Sequence, residues 1–159
     1  MMPGPLVDRI LKDVREAGVQ YYRLIMLVGS ASSGKTTALQ EVHRHTEAPL
    51  VNVNLEMSRL MLDLTERQRA LRLPRILADL VASHDADLVL LDNFEMLFDV
   101  SLQQDPLKIL QGVARNRTVV AAWCGSIVDG HLTYAAPDHP EYKRYPAKDF
   151  LAVNMEAGA

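Results

Sequence analysis

Eight consecutive residues, Gly29-Ser30-Ala31-Ser32-Ser33-Gly34-Lys35-Thr36, match G-x-x-x-x-G-K-[ST] at every fixed position. No other stretch constrains the fold so tightly, because this pattern works in one setting: a buried strand ends, the chain turns, and a helix begins. The sequence around it predicts that setting. Leu24-Ile25-Met26-Leu27-Val28 is a continuous apolar run closed by Gly29, as expected of a strand buried on both faces of a parallel sheet. After the loop, Leu39 and Val42 mark an amphipathic helix from about Lys35 to His45. Small residues let several backbone N–H groups converge on a phosphate, and the helix adds its positive end. Lys35 is placed to meet β- and γ-phosphates, Thr36 to offer a hydroxyl to Mg²⁺, and Thr37 lies beside them in the first helical turn.

A second segment completes that chemistry. Leu88-Val89-Leu90-Leu91 is an aliphatic strand ending at Asp92, which delivers a carboxylate to the magnesium at the strand's carboxyl end. Hydrolysis needs an oriented water as well. The position after Asp92 is Asn93, and the next acid is Glu95, which reaches the same place if the strand ends early and the chain turns. Arginine at a γ-phosphate stabilises transition-state charge, from the same chain or a neighbour. Arg115 and Arg117, just before the fourth strand, are the first candidates, and Arg67, Arg69, Arg72 and Arg75 the second. A nucleotide-dependent homo-oligomer with Arg115 or Arg117 acting across the interface is expected. ATP is the expected nucleotide, since no guanine-reading Asn-Lys-x-Asp is present. Tyr21 and Tyr22 are weaker candidates for the base, and Ser126 for sensing phosphate. His131, Asp138, His139 and Glu141 match no zinc spacing, and the prolines around them point to turns.

The rest of the chain supplies an alternation of strands and helices. Leu6, Val7, Ile10, Leu11 and Val14 give a helix within residues 1–18, stopped at Gly18. Leu50 to Leu55 reads as a second strand. Thr65 and Gln68 have capping-box spacing, and Pro74 fits the first turn of a new helix carrying Ile76, Leu77, Leu80 and Val81. Asp105-Pro106 caps a helix with Leu107, Leu110 and Ala114 on one face. Thr118 to Trp123 is a fourth strand and Phe150 to Val153 a fifth, separated by a long loop or hairpin over residues 126–148. The fold class expected is α/β: a single domain over residues 1–159, three-layered, of the P-loop NTPase type, with a mostly parallel, about five-stranded sheet.

Composition narrows the partners. A net charge of −3 gives no sign of direct DNA contact. The one cysteine, Cys124, cannot make an intrachain disulfide. No leader pattern opens the chain, and no apolar run reaches the roughly 20 residues needed to span a bilayer. A cytoplasmic protein without membrane contact is expected.

With these motifs in place, Val51-Asn52-Val53-Asn54-Leu55-Glu56, Asp92-Asn93-Phe94-Glu95 and Gln104-Asp105-Pro106-Leu107 bring out a resemblance. So do Ala114 to Val120 and the stretch from Leu132-Thr133-Tyr134-Ala135 to His139-Pro140-Glu141-Tyr142. From about residue 20 to 145 the chain resembles the BrxF family, small P-loop proteins of type 3 BREX bacteriophage-exclusion systems. The resemblance implies an accessory ATPase among other BREX components, including a DNA methyltransferase and a larger ATPase. It does not by itself imply turnover, which leaves a nucleotide-gated assembly module as the alternative. A small-molecule kinase is a lesser alternative, since only the Arg67–Arg75 cluster is available to serve a basic lid.

Overall fold

The structure is a computed structural model that describes residues 4–156; Met1 to Pro3, at the start of the expected leaderless amino-terminal segment, lie outside the described residues, as do Ala157 to Ala159. Five strands form one parallel sheet: β1 (Leu24–Gly29), β2 (Leu50–Asn52), β3 (Leu88–Asp92), β4 (Thr118–Cys124) and β8 (Leu151–Asn154), in the order β2-β3-β4-β1-β8. Every pairing in it is parallel. The fold is therefore α/β, and all five strands finish on one edge of the sheet.

Alternation within the strands sorts the two helical layers. Leu24, Met26 and Val28 of β1 share a core with Val119, Ala121 and Trp123 of β4 on one face. Helices α3 (Val53–Leu60), α4 (Glu66–Ala82) and α5 (Pro106–Val113) cover that face, through Met57, Leu73, Leu77 and Leu110 among others. Ile25, Leu27, Val120 and Ala122 point the other way, against α1 (Pro5–Ala17) and α2 (Lys35–Thr46). Both faces are dry, which is why β1 reads as an unbroken apolar run rather than an alternating one.

Two elements differ from the sequence expectation. The second strand stops at Asn52 instead of running to Leu55, because the Asn52 side chain accepts a hydrogen bond from the Leu55 amide at 3.2 Å and caps α3. Val53 and Met57 then bury at helical spacing. The second difference is Pro74, which lies inside α4 rather than at the start of a new helix. The Thr65–Gln68 capping box forms as expected and starts the helix at Glu66. A proline at position 74 cannot donate to the Ala70 carbonyl, a loss that costs a helix about 3 kcal/mol when uncompensated. Here the side-chain amide of Gln104 donates to the Ala70 carbonyl at 2.7 Å, so the helix continues.

Residues 126–146 fold as a separate antiparallel meander of β5 (Ser126–Val128), β6 (His131–Tyr134) and β7 (Lys143–Pro146). It is pinned to the main sheet by aromatic packing. Phe98, in a 3-10 turn after β3, stacks on Tyr134 with ring centroids 3.5 Å apart. Trp123, at the end of β4, meets Phe94, Phe98, Tyr134 and Tyr145. Its indole N–H donates to the Thr133 carbonyl at 2.9 Å, and the Tyr145 hydroxyl donates to Asp105 at 2.9 Å. Burial and that carboxylate push the Tyr145 phenol up in pKa. Gly125 makes the close approach possible, since a Cβ there would sit 1.9 Å from the Thr133 carbonyl oxygen.

Candidate functional site at the carboxyl edge of the sheet

The glycine loop leaves β1 at Gly29, which pairs with Cys124 of β4. Ser33 folds back on the turn, its amide donating to the Ser30 carbonyl at 3.1 Å and its hydroxyl at 2.8 Å. Gly34 has φ +91°, a left-handed conformation that favours glycine, and it hands the chain into α2. The first helical bond of α2 runs from the Ala38 amide to the Gly34 carbonyl at 2.9 Å. The amides of Lys35, Thr36 and Thr37 precede it and are the donors that a helix start leaves free for an anion.

Lys35 is only 7% exposed. Its ammonium donates to the Gly29 carbonyl at 2.8 Å, to the Ser30 carbonyl at 2.5 Å and to the Ser33 hydroxyl at 3.4 Å. Those partners are neutral, so a buried positive charge stands at the loop hydrogen-bonded to dipoles alone. Such a group is stabilised further by an anion brought alongside it.

Asp92 reaches the loop from two strands away, across β4, a lateral distance of about 10 Å. The gap is bridged by side chains: the Thr36 hydroxyl donates to Asp92 Oδ2 at 2.8 Å, while the Asn93 amide donates to Oδ1 at 3.0 Å. Hydroxyl and carboxylate are hard oxygen donors, and the pair suits Mg²⁺, which takes one or two protein ligands and fills its octahedron with water and phosphate oxygens. No group of three or more histidine, cysteine or acidic side chains at metal-binding proximity occurs among the described residues.

Beyond Asp92 the chain turns sharply. Asn93 has φ +52° and is exposed, and Glu95 opens the 3-10 turn Glu95–Phe98. Asn54, in the first turn of α3, clamps this segment at three points. Its amide donates to the Asn93 carbonyl at 2.7 Å, its side-chain oxygen accepts from the Met96 amide at 3.1 Å, and its side-chain N–H₂ donates to Glu95 Oε2 at 3.4 Å. Glu95 is thus a half-buried carboxylate with an oriented side chain. Burial, with the Glu141, Glu95 and Cys124 charges adding to it, pushes the Tyr134 phenol up to about 12, so it remains a neutral hydroxyl beside this acid at neutral pH.

Glu156 also arrives here. β8 runs parallel to β1 and ends on the same edge, and Glu156 Oε1 accepts from the Ser30 amide at 2.8 Å. Its carboxyl pKa is lowered, chiefly by hydrogen bonding from Ser30, with the Lys35 charge contributing.

Other residues singled out in the sequence lie elsewhere. Arg115 and Arg117 precede β4 and so sit at the amino edge, with the whole length of the strand between them and the loop. Arg115 lies over the Tyr21 ring, 4.7 Å from its centroid, and Arg117 donates to the Ala86 carbonyl at 3.5 Å. Neither meets the loop of its own chain. Tyr21 and Tyr22 pack edge-to-face at that same edge, just before β1, which removes them as contacts for a base. In the other cluster, Arg69 donates to the Leu64 and Leu62 carbonyls and Arg75 pairs with Asp79. Ser126 starts β5, and its carbonyl accepts from the Thr133 hydroxyl. The His139 ring accepts from the Glu141 amide and the His131 ring contacts the Asp129 carbonyl, both local turn contacts.

The residues that sequence reasoning missed are Asn54 and Glu156. Asn54 follows the true end of β2, so its position was hidden by reading the strand three residues too long. Glu156 carries a signal only once β8 is known to be parallel to β1, because the two then end together.

No protein-family model matches the chain, and no curated protein matches it in sequence. Among solved structures, that of C. elegans PCH-2 is similar with a TM-score of 0.46 and 16% identity, over 74% of this chain and 36% of that one. The chain therefore spans little more than a third of that protein's length. No helix among the described residues is long and apolar enough to cross a membrane.

Proposed function

We propose that the chain binds Mg-ATP at the carboxyl edge, with the phosphates in the Gly29–Thr36 loop and the metal held through Thr36 and Asp92. One observation carries this reading: the Thr36–Asp92 hydrogen bond at 2.8 Å joins the two motif halves beside a buried ammonium that has only neutral partners. Lys35 would leave the loop carbonyls for the β- and γ-phosphates, exchanging dipoles for full charges. Bound Mg²⁺ would neutralise phosphate charge. Glu95, oriented by Asn54, would accept a proton from the attacking water. Through its resemblance to BrxF proteins, the chain is assigned the role of an accessory ATPase in a BREX antiphage complex, acting with that system's other components.

Isothermal titration of the full chain with Mg-ATP tests the site. Binding that is lost or weakened at least about 100-fold in Lys35→Ala is expected, the scale of a charge-assisted contact made without solvent competition. Equal affinity in wild type and variant overturns the assignment.

One feature favours the second reading, a nucleotide-gated assembly module with little hydrolysis. Glu95 stands three residues past Asp92, on a turn rather than on the strand, and is already engaged by Asn54. Phosphate release measured alone and with candidate partners separates the readings: turnover that stays at the buffer rate under every condition supports the module.

A further inference from the structure

The meander reaches the phosphate loop through one residue, Gly125. Its amide donates to the Gly29 carbonyl at 3.1 Å, the same carbonyl that accepts from the Lys35 ammonium at 2.8 Å. Gly125 is also pressed onto the Thr133 carbonyl, which the Trp123 indole holds from the other side. Thr133 is thus clasped by both neighbours of Cys124, the residue that pairs with Gly29 across the sheet. Tyr134 comes next in the chain. Its ring has a second anchor in the 3-10 turn Glu95–Phe98, where it stacks on Phe98 with 11° between the planes. Three residues make one turn of such a helix, so Glu95 and Phe98 stand on the same side of it. Tyr134 therefore sits where the end of β4 meets the turn carrying Glu95. Burial, then the charges of Glu141, Glu95 and Cys124, keep its phenol protonated. Tyr145, on the next strand, gives its hydroxyl to Asp105, whereas the half-buried Tyr134 hydroxyl has no hydrogen-bond partner among the described residues.

We propose that Tyr134 is the second contact to the attacking water, its hydroxyl and the Glu95 carboxylate holding one water between them at the terminal phosphate. This inference rests on the reading of the carboxyl edge as a Mg-ATP site. Two polar groups that face a common space without bonding each other are joined well by a bridging water. A water tied to one acceptor still turns about that bond, and a second contact fixes the lone pair that attacks. In the step itself the water oxygen bonds to the terminal phosphorus as the bond from that phosphorus to the leaving oxygen breaks. The electron pair leaves with the nucleoside diphosphate, one proton passes to Glu95, and Tyr134 stays neutral throughout. The meander then closes the distance left by Glu95, which stands on a turn rather than on the strand.

Tyr134→Phe removes the hydroxyl and keeps the ring that stacks on Phe98, so the variant folds as the parent does. On the full chain its phosphate release falls about tenfold, the scale of one neutral hydrogen bond, while Mg-ATP affinity in calorimetry stays within about twofold. Tyr145→Phe takes a hydroxyl from the same meander without touching the water and leaves turnover unchanged; a matching loss in both variants overturns the proposal, because loosening of the meander would then account for it. In a double-mutant cycle with Glu95→Gln, adding Tyr134→Phe costs less than about twofold, since both groups act on one water. Fully additive losses overturn the shared water. Equal turnover in wild type and Tyr134→Phe, with binding still lost in Lys35→Ala, removes Tyr134 and leaves the nucleotide site standing. Wild type that binds Mg-ATP but releases phosphate only at the buffer rate under every condition overturns the proposal in the same way. Failure of wild type to bind any Mg-nucleotide overturns the functional reading and the role of Tyr134 with it.

Discussion

The two edges of the parallel sheet hold similar inventories and differ in what surrounds them. At the carboxyl edge, Lys35, Thr36 and Asp92 come from two different strand–helix junctions; Lys35 donates to the Gly29 carbonyl and Thr36 to Asp92, both at 2.8 Å, with Lys35 and Asp92 each 7% exposed. At the amino edge, Arg115, Tyr21 and Arg117 gather within a few residues of two strand starts, where Arg115 and Tyr21 are exposed. The first group is fixed by the core beneath it. The second is a surface cluster whose charge is already spread over solvent and an aromatic ring. Strand direction makes this difference: in an all-parallel sheet, every residue that follows a strand can meet the others that follow strands, and none that precede one.

The comparison breaks most decisively at Asp92. Asp92→Ala removes the carboxylate from the proposed metal site and is expected to weaken Mg-dependent ATP binding by about 10- to 100-fold, the scale of a hydrogen bond to a charged group. Titrations with and without EDTA check it, since the variant's affinity should no longer respond to magnesium. Next in size is Asn54→Ala. Freeing Glu95 and the Met96 amide should lower turnover by about tenfold, a part of the roughly 10²–10⁴-fold that general-base catalysis contributes, while ATP affinity stays within about twofold. A fall in affinity equal to the fall in rate would show that Asn54 merely holds the edge together. Tyr145→Phe tests whether the meander is part of the same rigid edge. Losing the hydroxyl bond to Asp105 should cost about 1 kcal/mol in urea unfolding. The sign with pH is fixed: the folded phenol's pKa is raised, so its contribution is fully present below about 10, the unfolded value, and is lost as pH rises through the folded one. The parent should therefore lose stability more steeply than Tyr145→Phe above pH 10. Smallest of all, Arg115→Ala and Arg117→Ala should leave ATP affinity in dilute protein within about twofold. An arginine acting on a neighbour's phosphates would instead appear as a loss of turnover that grows with protein concentration, followed alongside light scattering.

Much of this edge was legible in the sequence. The Gly29–Thr36 pattern, the apolar run before it and the aliphatic run ending at Asp92 are local signals, each readable within a window of ten residues. The Thr65–Gln68 and Asp105–Pro106 caps are equally local, and both form. What escaped depends on partners far along the chain. Pro74 signals a helix start by every local rule, and only Gln104, thirty positions away, lets it sit inside one. Asn52 had to be weighed as a cap against the β-branched Val51 and Val53 on either side, and the cap prevailed. Residues 126–148 read as a long loop or hairpin; the hairpin forms, and what escaped is its third strand and its packing against Phe98 and Trp123. The arginines before β4, expected to act on the phosphates of a neighbouring copy, precede their strand and so stand at the edge opposite their own loop.

The Gln104 amide also bears on how the molecule comes to order. The Ala70 carbonyl has no main-chain donor at Pro74, so α4 cannot complete its interior hydrogen bonding by local coil-to-helix growth. Its missing donor is delivered by the segment that runs on from Asp92 and Glu95 through the two 3-10 turns. Residues 66–73 and 74–82 can each wind independently, but the seam between them seals only when that segment docks. Hydrogen exchange should then find the seam of α4 and the turn carrying Glu95 opening as one cooperative unit. The acid's placement and the helix's continuity would then be acquired, and lost, together.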